Sequence, residues 1–325
     1  MSSLPGVRMA VAGVDAPVAA EPRLLRLPNG LEIACQSRTE ADHIWEDIFE
    51  KKIYQRHGVS FPDNACVFDV GGNIGMFTLF VHLCCPAART WTFEPAPPLF
   101  EILSYNTSRH APGARLINAG VSDARGTAEL TFYPYSSGMS SFHADLAEEK
   151  AVLRSILEHH HEEGMSGVDR LLEVSEEFLD ARFTSRTFAC PLVPLSEVIA
   201  AERVDTIDLL KIDVQKSELQ VLLGIEDRHW PKIRQIVLEV HDLDGRLGVV
   251  VDLLKSRGFD VVVEQDPLLG GSVLYNLFAI GRSALGSGEG PAAGRTQSRA
   301  SLQKAALQRQ RPRVPTRGPR LTEGE

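Results

Sequence analysis

The residues best placed to do chemistry cluster first in the run Val67-Phe68-Asp69-Val70-Gly71-Gly72-Asn73-Ile74-Gly75-Met76-Phe77. An apolar stretch ends in a carboxylate, turns on glycines and restarts with helical apolar spacing. That is the pattern of a strand, a tight loop and a helix N-terminus, where α/β proteins bind nucleotides. Dinucleotide sites use GxGxxG, so that a pyrophosphate can approach the helix end. Here the spacing is DxGxxxG, and an acid two residues ahead of the first glycine repels a pyrophosphate but suits a cation. S-adenosylmethionine carries a sulfonium and an ammonium and meets that condition. Asp69, Gly71, Gly72, Asn73 and Gly75 are therefore expected around its methionine end. The plainer alternative is an ordinary Gly-rich turn.

A second carboxylate, Glu94, closes the strand-like Thr90-Trp91-Thr92-Phe93, 19 residues after Gly75. An acid about 20 residues on, at the next strand tip, is placed to grip two ribose hydroxyls. Gly120-Val121-Ser122-Asp123 follows the third strand, so Ser122 or Asp123 could bond an adenine amine; a simple turn is the alternative.

Methyl transfer to a hydroxyl requires alignment and removal of a proton. His241 lies just past Val237-Leu238-Glu239-Val240, at a strand tip beside the strand that ends in Asp213. A neutral imidazole there is the candidate base, with Asp213, Glu218 and Glu239 as candidates to orient it. Otherwise His241 merely caps a strand. Asp213, Glu239, Asp242 and Asp244 could alternatively supply oxygens to a divalent metal, but no second motif fixes them, and a metal-free site is expected. His159-His160-His161 is consecutive, flanked by Glu158, Glu162 and Glu163, and reads as a solvated helix.

These residues need a scaffold, and the apolar periodicity describes one. Leu24 to Ala34 reads as a hairpin through Pro28-Asn29-Gly30. A helix at 40–56 carries Ile44, Trp45, Ile48, Phe49 and Ile53 on one face. Strands at 66–70, 89–94 and 114–119 alternate with helices at 74–84 and 97–109, and Gly126 to Pro134 adds a further strand. A charged helical insertion at 143–182 interrupts, and Tyr133 to His143 leads into it as either a gate or a connector. Alternation resumes with strands at 187–193, 207–213 and 234–240 and helices at 195–202, 216–224 and 246–257. Strands 259–264 and 273–281 are joined by too few residues for a crossover helix, so they should pair antiparallel. A doubly wound, Rossmann-like parallel sheet with an antiparallel last strand is the expected α/β architecture, that of class I methyltransferases. An N-terminal helical segment and a helical lid accompany it.

With 325 residues, 43% of them hydrophobic, the chain can bury one large core. Residues 290–325 hold eight bases and two acids, leaving 26 bases against 41 acids, or −15, on residues 1–289. An acidic body argues against a nucleic-acid partner. No apolar run reaches the roughly 20 residues that span a bilayer, and no signal-peptide layout opens the chain. Five cysteines in mostly apolar surroundings fit reduced thiols in the cytoplasm. Residues 1–22 and 284–325 read as linkers, 23–60 as an N-terminal hairpin and helix, and 61–283 as the core.

Taken together, Tyr54-Gln55-Arg56-His57-Gly58, Phe68 to Gly75, Phe93-Glu94-Pro95 and Lys211-Ile212-Asp213-Val214-Gln215-Lys216-Ser217-Glu218-Leu219 resemble the FkbM family of O-methyltransferases. The likeness covers roughly residues 40–282, with the four motifs in order. One departure is Gln215-Lys216, where many members read Glu-Gly. The resemblance implies S-adenosylmethionine as cofactor and a hydroxyl of a natural product as acceptor, and places Asp213 and Glu218 within a family motif. Arg299 to Gln308 is similar to segments joining domains of modular polyketide or nonribosomal peptide synthases. Neighbouring synthase domains and a carrier-tethered substrate are the partners this implies. A non-catalytic module that kept the fold is the competing reading.

Overall fold

The computed structural model describes residues 22–162 and 175–282. Apart from Pro22, both expected linkers lie outside them. A hairpin comes first: β1 (Arg23–Arg26) pairs antiparallel with β2 (Glu32–Cys35) across a turn in which Gly30 has φ +88°. The helix expected at 40–56 is broken. α1 (Arg38–Trp45) opens on the Ser37 side chain, which accepts the Glu40 N–H. It widens over Glu46–Glu50 and stops at Lys52, whose φ of +49° cannot continue a helix; one short turn then spans Ile53–Gln55.

Seven strands form the main sheet. β3 (Cys66–Val70), β4 (Arg89–Phe93) and β5 (Arg115–Ile117) lie parallel, linked by α2 (Met76–Cys84) and α3 (Pro97–His110). β5 is shorter than the expected strand at 114–119. The chain turns at Asn118, whose side chain donates to the Glu94 carbonyl, and residues 120–121 join another sheet as β6 (Gly120–Val121). There β6 and β7 (Gly126–Phe132) flank β8 (Arg186–Val193) in the order β6-β8-β7. The strand expected at 187–193 within the alternating core thus builds this separate sheet.

Within the insertion, α4 (Leu146–Glu162) and α5 (Ser175–Arg182) are described. α6 (Leu195–Ala201), β9 (Leu209–Ile212), α7 (Glu218–Leu223), β10 (Gln235–His241), α8 (Arg246–Ser256), β11 (Phe259–Glu264) and β12 (Leu274–Gly281) complete the main sheet and its cover. Its order is β11-β12-β10-β9-β3-β4-β5, and β12 runs antiparallel to both neighbours. The short link between the last two strands forces that reversal.

Every residue of β3 and β9 is buried, as a sheet covered on both faces requires. Phe68, Val70, Leu210, Ile212 and Leu238 face one apolar layer, with Leu195, Leu222 and Leu253 of the covering helices. Val67, Leu209 and Val237 face the other, with Phe77, Leu99 and Ile102 and the N-terminal Ile33 and Ile48. The strand register sets Lys211 directly beside Asp69 on this second face. Among the described residues, no helix is long and apolar enough to cross a membrane.

Candidate active site

The C-terminal tips of β3, β4 and β9 open into a cleft whose lining is drawn from all three. Gly71 and Asn73 line it from the first loop, Glu94 from the second, and Asp213 to Gln215 and Ser217 from the third. The loop after β7 contributes Ser137, Ser141 and Phe142 from the opposite side. The charged residues in this lining are Glu94 and Asp213; no lysine or arginine is among them.

Glu94 is held before any ligand arrives. Its Oε2 accepts the Asn73 N–H at 2.8 Å and its Oε1 the Ala96 N–H at 2.9 Å. Burial pushes its pKa up to about 7, against the pull of those two backbone donors and of Lys211. The N–H groups that a pyrophosphate would need are consumed: Gly71 and Gly72 both donate to the Phe93 carbonyl, at 3.0 and 2.8 Å. Only Asn73, at φ +48°, and the glycines can follow this path cheaply.

Asp69 does not line the cleft. It is wholly buried, its Oδ2 accepting the Thr78 hydroxyl at 2.8 Å and its Oδ1 lying 3.0 Å from Lys211 Nζ. Gly72 and Gly75 also sit behind the lining, where a Cβ would meet Thr92 Cγ2 at 2.4 Å and Leu103 Cδ1 at 2.8 Å. There they admit the neighbouring strand and helix. Ala119, Gly120 and Val121 line the cleft, whereas Ser122 and Asp123 fall outside the lining. Ser122 donates its N–H to Val193, and its own carbonyl packs against Gly224.

Beside Asp213 stands a second cluster. His241 Nδ1 lies 2.9 Å from Glu218 Oε1, with both residues buried. Burial alone would lower the histidine's pKa. The hydrogen bond and charge of Glu218, with the charges of Glu239 and Asp213, raise it above its ordinary value. Burial and the charge of Asp213 push Glu239 up to about 7. The charges of Glu218, Glu239 and Asp213 all act on His241, and of these four residues only Asp213 lines the cleft. Asp242, by contrast, turns to the start of α8, accepting the Leu247 N–H. Among the described residues, no group of three or more acids, histidines or cysteines could hold a metal ion. His161 lies exposed on α4, and Glu163 is outside the described residues.

Two participants carried no role in the sequence reading. Lys211 is buried, donates to the Gly71 carbonyl at 2.7 Å and pairs with Asp69, its Nζ also 3.8 Å from Asp213. Burial would lower its pKa, but the three acids around it raise it instead. Tyr54 donates its hydroxyl to Asp213 Oδ2 at 2.7 Å. A lysine inside an otherwise apolar strand is the sequence signal for the first; Tyr54 has only its place in the segment Tyr54-Gln55-Arg56-His57-Gly58.

The loop from Ser136 to His143 is fastened from four directions. Glu40 of α1 accepts the Ser137 N–H at 2.7 Å, and Arg182 of α5 donates to Ser136 Oγ at 3.0 Å. Asn73 reaches Ser137 Oγ at 3.3 Å, and Ser141 Oγ donates to the Gln215 carbonyl at 2.7 Å. The N-terminal segment and the insertion thus converge on one wall of the cleft.

Comparison with known proteins identifies the family. Residues 69–261 match the methyltransferase FkbM domain family. The chain is 44% identical over 255 residues to 31-O-demethyl-FK506 methyltransferase FkbM of Streptomyces tacrolimicus, covering 78% of this chain and 95% of that protein. It is 40% identical over 262 residues to AMB antimetabolite synthetase AmbE of Pseudomonas aeruginosa, but spans just 12% of that protein's length. A solved FkbM methyltransferase from Methylobacillus flagellatus aligns with a TM-score of 0.42 and 13% identity, over 69% of this chain and 46% of that one. With its acid-ended strands, its antiparallel closing strand and this extent of match, the chain belongs to the FkbM methyltransferase family.

Proposed function

We propose that the protein is an S-adenosylmethionine-dependent O-methyltransferase acting on a hydroxyl of a polyketide or peptide intermediate, presented on a carrier protein. The observation that carries this reading is the lining of the cleft, two carboxylates without a basic side chain. Such a surface favours a cationic ligand over a phosphate-bearing one. S-adenosylmethionine, when bound, supplies a methyl group activated by its sulfonium.

The chain's own residues fit that group. Glu94, already oriented by Asn73 and Ala96, offers its carboxylate to a ribose diol. Leu99, Val121 and Phe142 give apolar walls for a purine, and Asn73 and Asp213 supply acceptors toward an ammonium. Since Nδ1 of His241 is engaged by Glu218, its Nε2 is the atom to take the acceptor's hydroxyl proton. Glu218 then stabilises the imidazolium, and its fixed bond selects the tautomer. The AmbE relative supports a synthase setting, since a domain like this one occupies a small part of that synthetase.

Titration calorimetry with S-adenosylmethionine tests the cofactor. Mass spectrometry of methyl transfer to free and carrier-bound hydroxyacyl substrates tests the acceptor. Failure to bind the nucleoside, or transfer only to nitrogen or carbon acceptors, would reject the proposal.

A further inference from the structure

Lys216 holds a backbone conformation that glycine adopts freely and lysine does not: its φ is +65°. Its surroundings account for a long side chain there. Lys216 is 6% exposed, and its Nζ reaches Glu148 Oε2 at 2.9 Å and Glu149 Oε1 at 3.1 Å. Both carboxylates belong to the first turn of α4. Glu149 is itself buried, and Glu149 Oε2 has no hydrogen-bond partner, so its ionised form depends on the ammonium.

The main chain of the same residue faces the other way. Its N–H donates to Glu218 Oε1 at 2.9 Å, the oxygen that also meets His241 Nδ1. Its carbonyl accepts from Arg246 Nη1 at 2.7 Å, and that guanidinium lies 3.6 Å from Glu218 Oε2. One residue therefore ties the insertion, through its side chain, to the histidine's partner, through its backbone. The neighbouring Gln215 carbonyl holds Ser141 of the cleft wall, so the joint sits at the edge of the cleft.

We infer that Lys216 is a positioning residue that seats α4 beside the cleft and holds Glu218 against His241, making insertion docking and histidine orientation one equilibrium. For its kinetic consequence this rests on the reading of His241 as the base; the docking of α4 stands apart from it.

The test is Lys216→Gly in the full chain. Glycine tolerates the positive φ and keeps the N–H to Glu218, so the variant retains its local path while losing the ammonium. Amide exchange across residues 146–156 should quicken by about tenfold or more. The kcat should fall by about tenfold or more, with the dissociation constant for S-adenosylmethionine within about threefold of the parent. Lys216→Arg should restore both. Glu148→Gln with Glu149→Gln should reproduce the glycine variant, and combining all three should add nothing. Parental exchange in α4, or losses that simply add, would overturn the inference. If the parent methylates no hydroxyl acceptor, the functional reading fails by itself. Exchange then decides this inference alone, faster in α4 supporting it and unchanged overturning it.

Discussion

Nδ1 of His241 and Oε1 of Glu218 meet at 2.9 Å where neither side chain is appreciably exposed. Their residues lie 23 apart in sequence, on β10 and at the start of α7. In a buried histidine bonded to a buried carboxylate, the acid both orients the ring and stabilises its charged form. Replacing His241 with Ala should lower kcat by about 10²- to 10⁴-fold, the usual worth of a positioned base. Binding of S-adenosylmethionine, followed by calorimetry, should change little. A variant with full turnover would remove the histidine from the mechanism.

The same pair sets a pH dependence. Glu218, with Glu239 and Asp213, outweighs burial and keeps the imidazolium to a pH above the ordinary 6.5. A base must be neutral, so kcat/KM should climb as pH rises through that raised value and then level. Glu218→Gln should move the climb to lower pH and lower the plateau. The sign for stability is opposite. The ion pair contributes fully below 6.5, and its contribution is lost as pH rises through the folded value. Urea midpoints across that range, for parent and Glu218→Gln, should converge at the alkaline end.

Glu94 titrates in the same region for a different reason. Burial raises it to about 7, whereas a carboxylate in the proposed ribose-binding role must be ionised to accept hydrogen bonds from both hydroxyls. Affinity for S-adenosylmethionine should therefore increase from pH 6 to pH 8 and then flatten. Glu94→Gln should weaken binding by about 10- to 100-fold, the range for losing a charge-assisted hydrogen bond, and abolish that pH dependence. Calorimetry at three pH values separates the two effects.

Much of this arrangement was legible in the sequence because it sits where apolar runs stop. Glu94, Asp213 and His241 each follow such a run, and a strand tip is a sequence-visible place. Asp69 also ends in the right motif, yet its side chain faces the core. That outcome depends on Lys211, 142 residues away, arriving opposite it in the strand register. Tyr54 and Asp213, 159 residues apart, are equally invisible as a pair. Local pattern reveals elements and their ends; which side chains meet across a sheet is decided by the order and register of strands. The broken N-terminal helix shows the same limit. Its apolar face continues through Ile53, but the left-handed Lys52 turns the chain so that Tyr54 can reach Asp213.

The charged triad of Asp69, Lys211 and Asp213 makes a stability prediction. Lys211→Met keeps most of the volume but strands Asp69, which is fully buried. Removing one partner from such a pair costs about 3–5 kcal/mol. Tyr54→Phe, which takes one neutral donor from the partly exposed Asp213, should cost only about 1 kcal/mol. Denaturant unfolding of both variants should show that ordering. Equal losses would mean that Lys211 is not the counter-charge the geometry makes it.

Two glycines with almost the same φ distinguish strain from crowding. Gly30 has φ +88° with nothing within 4 Å of a prospective Cβ, while Gly71 has φ +84° with the Asp213 carbonyl oxygen only 1.9 Å away. Gly30→Ala should therefore lose about 1–2 kcal/mol, the cost of a left-handed alanine, and leave methyl transfer intact. Gly71→Ala incurs that cost and must also push apart the tips of β3 and β9, whose atoms there are backbone and cannot rotate away. Its total loss should reach about 2–4 kcal/mol. Because Gly71 and Asp213 both line the cleft, affinity for S-adenosylmethionine should fall as well. Unfolding midpoints and calorimetry on the two variants test this directly. Equal destabilisation with unchanged binding would show that the close approach of the two loops is not what shapes the site.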